Sequence, residues 1–266
     1  MTDGERQALV LAASRGPQDP VARHAGRSHK ALVDVDGVAM LVRVLRTLRQ
    51  SRSVARIAVC LEAGAAVAGA DRELDALLAK PGVTLVEAAA TPSLSVARAL
   101  ALLSEPLPML VTTADHPLLT AAMVDHFCEA VPPDADAAVG VVAASHLQSR
   151  YPDAIRTYYR FAGEGYSGCN LFLLRSPKAK RVVEFWARLE RHRKRPWRLI
   201  AEVGPLALLR FLLGRLSLDD ALRHLSKAAG ATVRAVELPF AEAAIDVDKP
   251  ADLELAESIL RQRAAS

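Results

Sequence analysis

Aromatic residues are scarce, 5% of 266 positions, and cysteines number three, Cys60, Cys128 and Cys169. The cysteines form no C-x-x-C pair and no zinc-ligand spacing. That favours a reducing compartment over a disulfide framework. No apolar run approaches the ~20 residues of a membrane span. The longest candidate, 205–214, is interrupted by Arg210. The opening Met-Thr-Asp-Gly-Glu-Arg leads straight into a strand-like run, with no signal-peptide core, so a cytoplasmic protein is expected. Internal repeats and low-complexity linkers are missing as well. Net charge is small, +4 with a pI near 9.1, too weak to argue for nucleic acid. A hydrophobic content of 51% with 24% charged residues is enough to bury a core.

Short apolar runs alternate with helical patterns as far as residue 143. Strands are predicted at 8–13, 57–61, 83–87, 108–113 and 137–143, with helices at 38–50, 71–79, 94–103 and 120–130 between them. Parallel strands need such crossovers, so a doubly wound sheet is the natural packing. Thr120 is placed to cap its helix. Beyond 143 the pattern changes. Strands are predicted at 155–161 and 169–174, joined by a turn containing Gly163, Gly165 and Gly168. A helix from Ser176-Pro177 to about 193 follows. A capping box at Ser217 precedes a helix at 221–228. Strands at 232–238 and 243–247 and a closing helix at 250–263 complete the chain. Residues 1–266 read as one domain, with roughly 145–235 as an acceptor-side segment inserted between sheet strands.

Chemistry concentrates at the predicted carboxyl ends of strands, where open α/β sheets bind ligands. Asp115 follows a strong apolar strand and precedes His116-Pro117. It reads equally as a ligand-facing carboxylate and as a turn former. Asp246 and Asp248 alternate just before a helix. Two carboxylates from distant positions could hold one Mg²⁺, a hard cation that takes oxygen ligands and shares them with phosphates. Asp246 is favoured as the ligand and Asp248 as the cap of the helix near Pro250. The long loop after the first strand carries Ser14, Arg15, Gly16, Arg23, Arg27, His29 and Lys30, a composition suited to a polyphosphate. It is neither a Walker A loop nor G-x-G-x-x-G, and it reads equally as a solvated basic loop.

Together these residues resemble a family. Leu9-Val-Leu-Ala-Ala-Ser-Arg-Gly16 followed by Ser28-His-Lys-Ala-Leu-Val-Asp-Val-Asp-Gly-Val-Ala-Met40 is similar to the opening of the MobA-like NTP transferases, L-A-A-G-x-G-x-R and then K-A-L-x-P-V-x-G-x-P-M. Val111-Thr-Thr-Ala-Asp-His-Pro-Leu-Leu-Thr120 resembles their D-x-P-L-L-T. Ile245-Asp-Val-Asp-Lys-Pro-Ala-Asp-Leu253 resembles their closing D-I-D-T-P-E-D-L. Ser14 stands where the first glycine is usual, and Val38-Ala39-Met40 lacks the proline.

The resemblance implies a Rossmann-like three-layer α/β/α nucleotidyltransferase fold with a mostly parallel mixed sheet and a helical insertion. It implies Mg²⁺-dependent transfer of a nucleotide from an NTP, with CTP or GTP favoured, to a small phosphorylated acceptor such as a sugar, polyol or acid phosphate. Ala12, Ala13, Ser14, Arg15 and Gly16 would form the nucleotide loop with Lys30 on the phosphates. Asp115 and Asp246 would hold the metal. Ser93 and Ser95, in Thr91-Pro-Ser-Leu-Ser-Val96, would lie near base and ribose, or else belong to an ordinary helix start. Gly168 and Asn170 would contact the acceptor. Lys30, Asp115 and Asp246 are thus the expected catalytic residues, with His116 shaping the turn.

Arg156, Tyr158 and Arg160 share one strand face and could line the acceptor pocket or form an exposed edge. Residues 175–198 carry ten Lys/Arg against two Asp/Glu, a net +8, and 206–213 are apolar apart from Arg210. Peripheral membrane contact through 175–213, an anionic acceptor, a dimer contact and a solvated helix face all fit. The chain is compatible with a monomer or a homodimer. A glycosyltransferase of the same general fold should show D-x-D after the fourth strand, where Asp115-His-Pro117 stands instead. A non-catalytic nucleotide-binding protein is the remaining alternative.

Overall fold

Strand β1 (Arg6–Leu11) runs through the middle of the sheet, and its neighbours set the level at which every functional loop begins. In the computed structural model, which describes residues 6–14, 18–65, 67, 69–192, 209–211 and 213–265, it pairs in parallel with β4 (Val54–Leu61) and β6 (Met109–Thr113). Leu11 lies opposite Cys60 on one side and Thr113 on the other. Ala12 N–H donates to the Cys60 carbonyl at 2.9 Å and Ala114 N–H to the Leu11 carbonyl at 3.0 Å. Three chain segments therefore leave the sheet side by side.

The elements in order are β1, α1 (Pro20–His24), a 3₁₀ turn (Lys30–Leu32), β2 (Asp34–Val35), β3 (Val38–Ala39), α2 (Met40–Gln50), β4, α3 (Arg72–Leu78), β5 (Val83–Glu87), α4 (Pro92–Leu102), β6, α5 (Ala121–Ala130), β7 (Ala137–Ala143), α6 (Ala144–Arg150), β8 (Tyr159–Arg160), β9 (Gly165–Leu174), α7 (Ala179–His192), α8 (Leu218–Ala229), β10 (Val233–Glu237), a second 3₁₀ turn (Ala241–Ala244) and α9 (Pro250–Ala265). The main sheet has the order β10-β7-β9-β6-β1-β4-β5, with β8 on β9. β9 runs antiparallel to β6 and β7, while β1, β4, β5 and β6, and the pair β7 and β10, are parallel.

Alternation along the strands sorts the core onto two faces. Ala8, Val10, Ile57, Val59 and Leu110 point to one side, with Leu45 of α2, Phe127 of α5 and Ile259 of α9. Leu9, Ala58, Met109 and Val111 point to the other, with Val96 and Leu100 of α4 and Val183 of α7. The result is the expected three-layer α/β/α arrangement. Helix starts follow local chemistry. The hydroxyls of Thr91, Thr120 and Ser217 accept N–H groups from the first turns of α4, α5 and α8. The β2–β3 hairpin turns on Asp36-Gly37, both at positive φ, as a two-residue turn matching strand twist requires.

Three expectations change. The 155–161 strand shrinks to Tyr159–Arg160, because the chain before it turns away from the sheet to deliver Arg156 elsewhere. The 243–247 strand is instead the 3₁₀ turn followed by irregular chain crossing the strand ends, where Val247 N–H donates to the Asp115 carbonyl at 2.8 Å. The segment 145–235 also brings three strands into the sheet, β9 in its interior, the short β8 along β9, and β10 beside β7. Of the basic and apolar stretch 175–213, residues 193–208 and 212 lie outside the described residues.

Candidate functional site

Asp115 stands two residues beyond β6, where the ladder has ended and the chain turns at His116-Pro117. Lys30 opens the 3₁₀ turn after the long first loop. That turn is capped by His29, whose Nδ1 accepts the Ala31 N–H at 3.1 Å. The two side chains meet at the mouth of the sheet, with Lys30 Nζ 2.6 Å from Asp115 Oδ2. The same ammonium donates to Asp248 Oδ1 at 2.9 Å. Asp115, Asp246 and Asp248 each offer an oxygen, and these atoms all lie within 4.8 Å of one another.

Electrostatics explains how this cluster survives. Burial alone would lower the Lys30 pKa, but the charges and hydrogen bonds of Asp115 and Asp248 outweigh it and hold the ammonium above the ordinary lysine value. Asp246 is pushed the other way. Burial first, then the charge of Asp115, raise it to about 6, against the opposing pull of Arg156. Asp115 Oδ1 is buried and has no hydrogen-bond partner. An ionised oxygen left unpaired in a buried position is costly unless a cation comes to it. Three carboxylates, paired with Lys30 and Arg156, fit a divalent cation in both charge and donor type. His116, 1% exposed, is held neutral by burial, which brings its pKa down to about 4. That suits a residue shaping the turn.

The other expected residues are placed as follows. Ala12 is buried in the strand extension and Ala13 is exposed after it. Ser14 Oγ accepts the Lys30 N–H at 3.4 Å, and Ser14 N–H donates to Glu62 Oε2 at 3.2 Å. Glu62, which follows β4, also faces His29 Nε2 at 3.0 Å. Arg15 and Gly16 lie outside the described residues. Gly168 sits in β9, with open space where a side chain would be. Asn170 donates from its amide to Asp246 Oδ2 at 2.8 Å.

One expectation needs correction, and the two serines of α4 have partners within the protein. Arg156, expected in an acceptor pocket or on an exposed edge, is a buried partner of the cluster. Its Nη1 donates to Asp246 Oδ1 at 2.6 Å, its Nη2 lies 3.4 Å from Asp252 Oδ1, and its side chain is 8% exposed. A guanidinium that far from water needs carboxylates around it. Ser93 and Ser95 are buried in the first turn of α4. Ser93 Oγ donates to Glu190 of α7, while Ser95 Oγ donates to the Thr91 carbonyl at 3.0 Å and accepts the Ala89 N–H at 2.9 Å. The Ser95 hydroxyl thus serves the helix start, whereas that of Ser93 ties α4 to α7.

Sequence reasoning missed Asp248 as a member of the carboxylate group, having favoured it as a cap. The backbone N–H groups of Asp248 and Lys249 are taken up by Asp252 Oδ2, at 3.0 and 2.8 Å. The D-x-D spacing was the available signal. It could not say which carboxylate turns to the helix and which to the cluster.

Residues 8–237 match the family model described as the MobA-like NTP transferase domain. No curated protein matches the sequence. Among solved structures, a hypothetical transferase from Thermus thermophilus is 28% identical with a TM-score of 0.77, the match covering 94% of this chain and 99% of that one. A 4-diphosphocytidyl-2C-methyl-D-erythritol synthase from Anaerococcus prevotii DSM 20548 shares the fold at 12% identity and a TM-score of 0.58, covering 98% and 100%. A CMP:2-keto-3-deoxy-manno-octonic acid synthetase, solved with CTP, shares it at 13% identity and a TM-score of 0.56, covering 98% and 99%.

Proposed function

The chain belongs to the MobA-like NTP transferase family, a family of nucleotidyltransferases, and from that premise we propose that it transfers a nucleotide from an NTP, CTP or GTP, to a small phosphorylated acceptor in a Mg²⁺-dependent reaction. The observation that carries this reading is the meeting of Lys30 with Asp115, Asp246 and Asp248 at the carboxyl ends of parallel strands.

An oxygen of the acceptor phosphate attacks the α-phosphorus of the NTP. The new P–O bond forms as the bond to the bridging oxygen breaks, and the electron pair leaves on pyrophosphate. A phosphate oxygen is already anionic near neutral pH, so no strong base is needed, and the turn-forming His116 is not asked to supply one. The barrier is charge repulsion and orientation. Magnesium held by Asp115 and Asp246, with Asp248 beside them, would supply positive charge at the α-phosphate. Lys30 remains protonated throughout the physiological range and would bring positive charge to the phosphates. Ser14, whose hydroxyl accepts the Lys30 N–H, would lie beside the triphosphate. Asp115-His116-Pro117 offers no D-x-D, which favours NTP over nucleotide-sugar chemistry.

Cytoplasmic placement belongs to the same proposal. No helix among the described residues is long and apolar enough to cross a membrane. For the basic stretch 175–213, salt-sensitive flotation with anionic vesicles tests surface contact.

The decisive assay screens four NTPs against phosphorylated sugars, polyols and acids, reading pyrophosphate and the nucleotidyl product together. An acceptor-dependent product that disappears in Asp115→Ala, with circular dichroism unchanged, is the expected result. Pyrophosphate without such a product, or an undiminished rate in that variant, defeats the proposal.

A further inference from the structure

Asp246 is gripped on both carboxylate oxygens by side chains that the transfer reaction itself does not require. Asn170 supplies one contact, from its amide nitrogen to Oδ2 at 2.8 Å. It lies where the register between β7 and β9 shifts, between Val139 and Val141, and its φ is 50°. Positive φ is uncommon for residues other than glycine, and asparagine is among the few that adopt it readily. A bulge re-aims a side chain. Arg156 supplies the other contact, to Oδ1 at 2.6 Å, and also reaches the Asp246 carbonyl at 2.5 Å. The Nη2 that reaches this carbonyl also lies 3.4 Å from Oδ1 of Asp252, the residue that takes up the backbone N–H groups leading into α9. Asp246 is thereby tied at once to the centre of the sheet and to the start of the closing helix.

We propose that Asn170 and Arg156 are positioning residues, which hold Asp246 close to Asp115 and Asp248 and so set the affinity of the site for a divalent cation. The inference rests on the metal reading above. Left alone among like charges, a carboxylate on two rotatable bonds would turn outward to water. Donors fixed on both oxygens remove that freedom before the cation arrives, and the ordering cost of binding falls accordingly. Charge alone does not account for the arrangement, because Asn170 is neutral. Nor does backbone geometry, since glycine would adopt φ 50° more readily.

The test is direct Mn²⁺ binding to the whole protein without nucleotide, read by electron paramagnetic resonance, together with the Mg²⁺ dependence of turnover. Asn170→Gly keeps the bulge and removes the amide. Arg156→Lys keeps the charge but cannot reach Asp246 Oδ1, its carbonyl and Asp252 together. Each variant is expected to bind Mn²⁺ about 10–100-fold more weakly than the wild type. Turnover lost at low magnesium should return as magnesium is raised, and the melting temperature of Asn170→Gly should stay near that of the wild type. If both variants bind Mn²⁺ as tightly as the wild type while Asp246→Ala does not bind, the positioning role is overturned and the metal reading stands. If the wild type itself binds no Mn²⁺, both are overturned.

Discussion

Acidification should weaken the metal site through Asp246, by an amount that follows from its surroundings. Burial and the neighbouring Asp115 charge raise this carboxyl from 3.8 to about 6. Between those values the folded protein holds a proton that the unfolded chain releases. On this group's account, the metal-free fold therefore gains stability as pH falls through 6, and the gain is complete below about 4. Above 6, the ionised group costs the metal-free fold on the order of 3 kcal/mol. A divalent ion reverses the preference, because it binds only the carboxylate. Relative to pH 8, affinity should fall about twofold at pH 6 and about tenfold at pH 5. Binding should release about half a proton per ion at pH 6 and close to one at pH 5. Titration calorimetry with Mn²⁺, without nucleotide and in two buffers of different ionisation enthalpy, reads affinity and proton count together. Asp246→Asn should abolish the proton release. An affinity that stays level from pH 8 to pH 5 would refute the reasoning, because it would mean Asp246 is already ionised at pH 5.

Further outcomes follow from the same geometry. Lys30→Met should lower turnover about 10²–10³-fold, the loss typical of a single transition-state donor. It should bind Mn²⁺ no more weakly than the wild type, since it removes the ammonium paired with Asp115 and Asp248; weaker Mn²⁺ binding would contradict this. Leu45→Ala opens a cavity beneath α2, where Leu45 is 1% exposed. It should cost about 2–5 kcal/mol in denaturant unfolding with the Mg²⁺ dependence of turnover unchanged; a loss below 1 kcal/mol would argue against that packing.

Much of the fold was legible because its signals are local. Alternating apolar runs and helical spacing need only a handful of neighbouring residues, so 83–87 and 137–143 emerge with the bounds they have in the sheet. Thr120 and Ser217 cap as their spacing implies. The strand ends were legible for the same reason, and with them the position of Asp115. The signal failed where a residue's role depends on a distant partner. β9 reads as a late strand in an insertion, yet it runs antiparallel inside the sheet, a place set by pairing with β6 and β7.

The amino-acid order by itself determined the α/β alternation, the family motifs and the acidic and basic residues available at the strand ends. Only the tertiary structure decided how they are shared out. Lys30 reaches Asp248 across 218 positions of chain, Asp252 takes the capping work, and Arg156 turns inward to Asp246. These choices turn on distances of a few ångströms and on which charges are shielded from water. Both are properties of the packed chain, and local propensity carries no record of them.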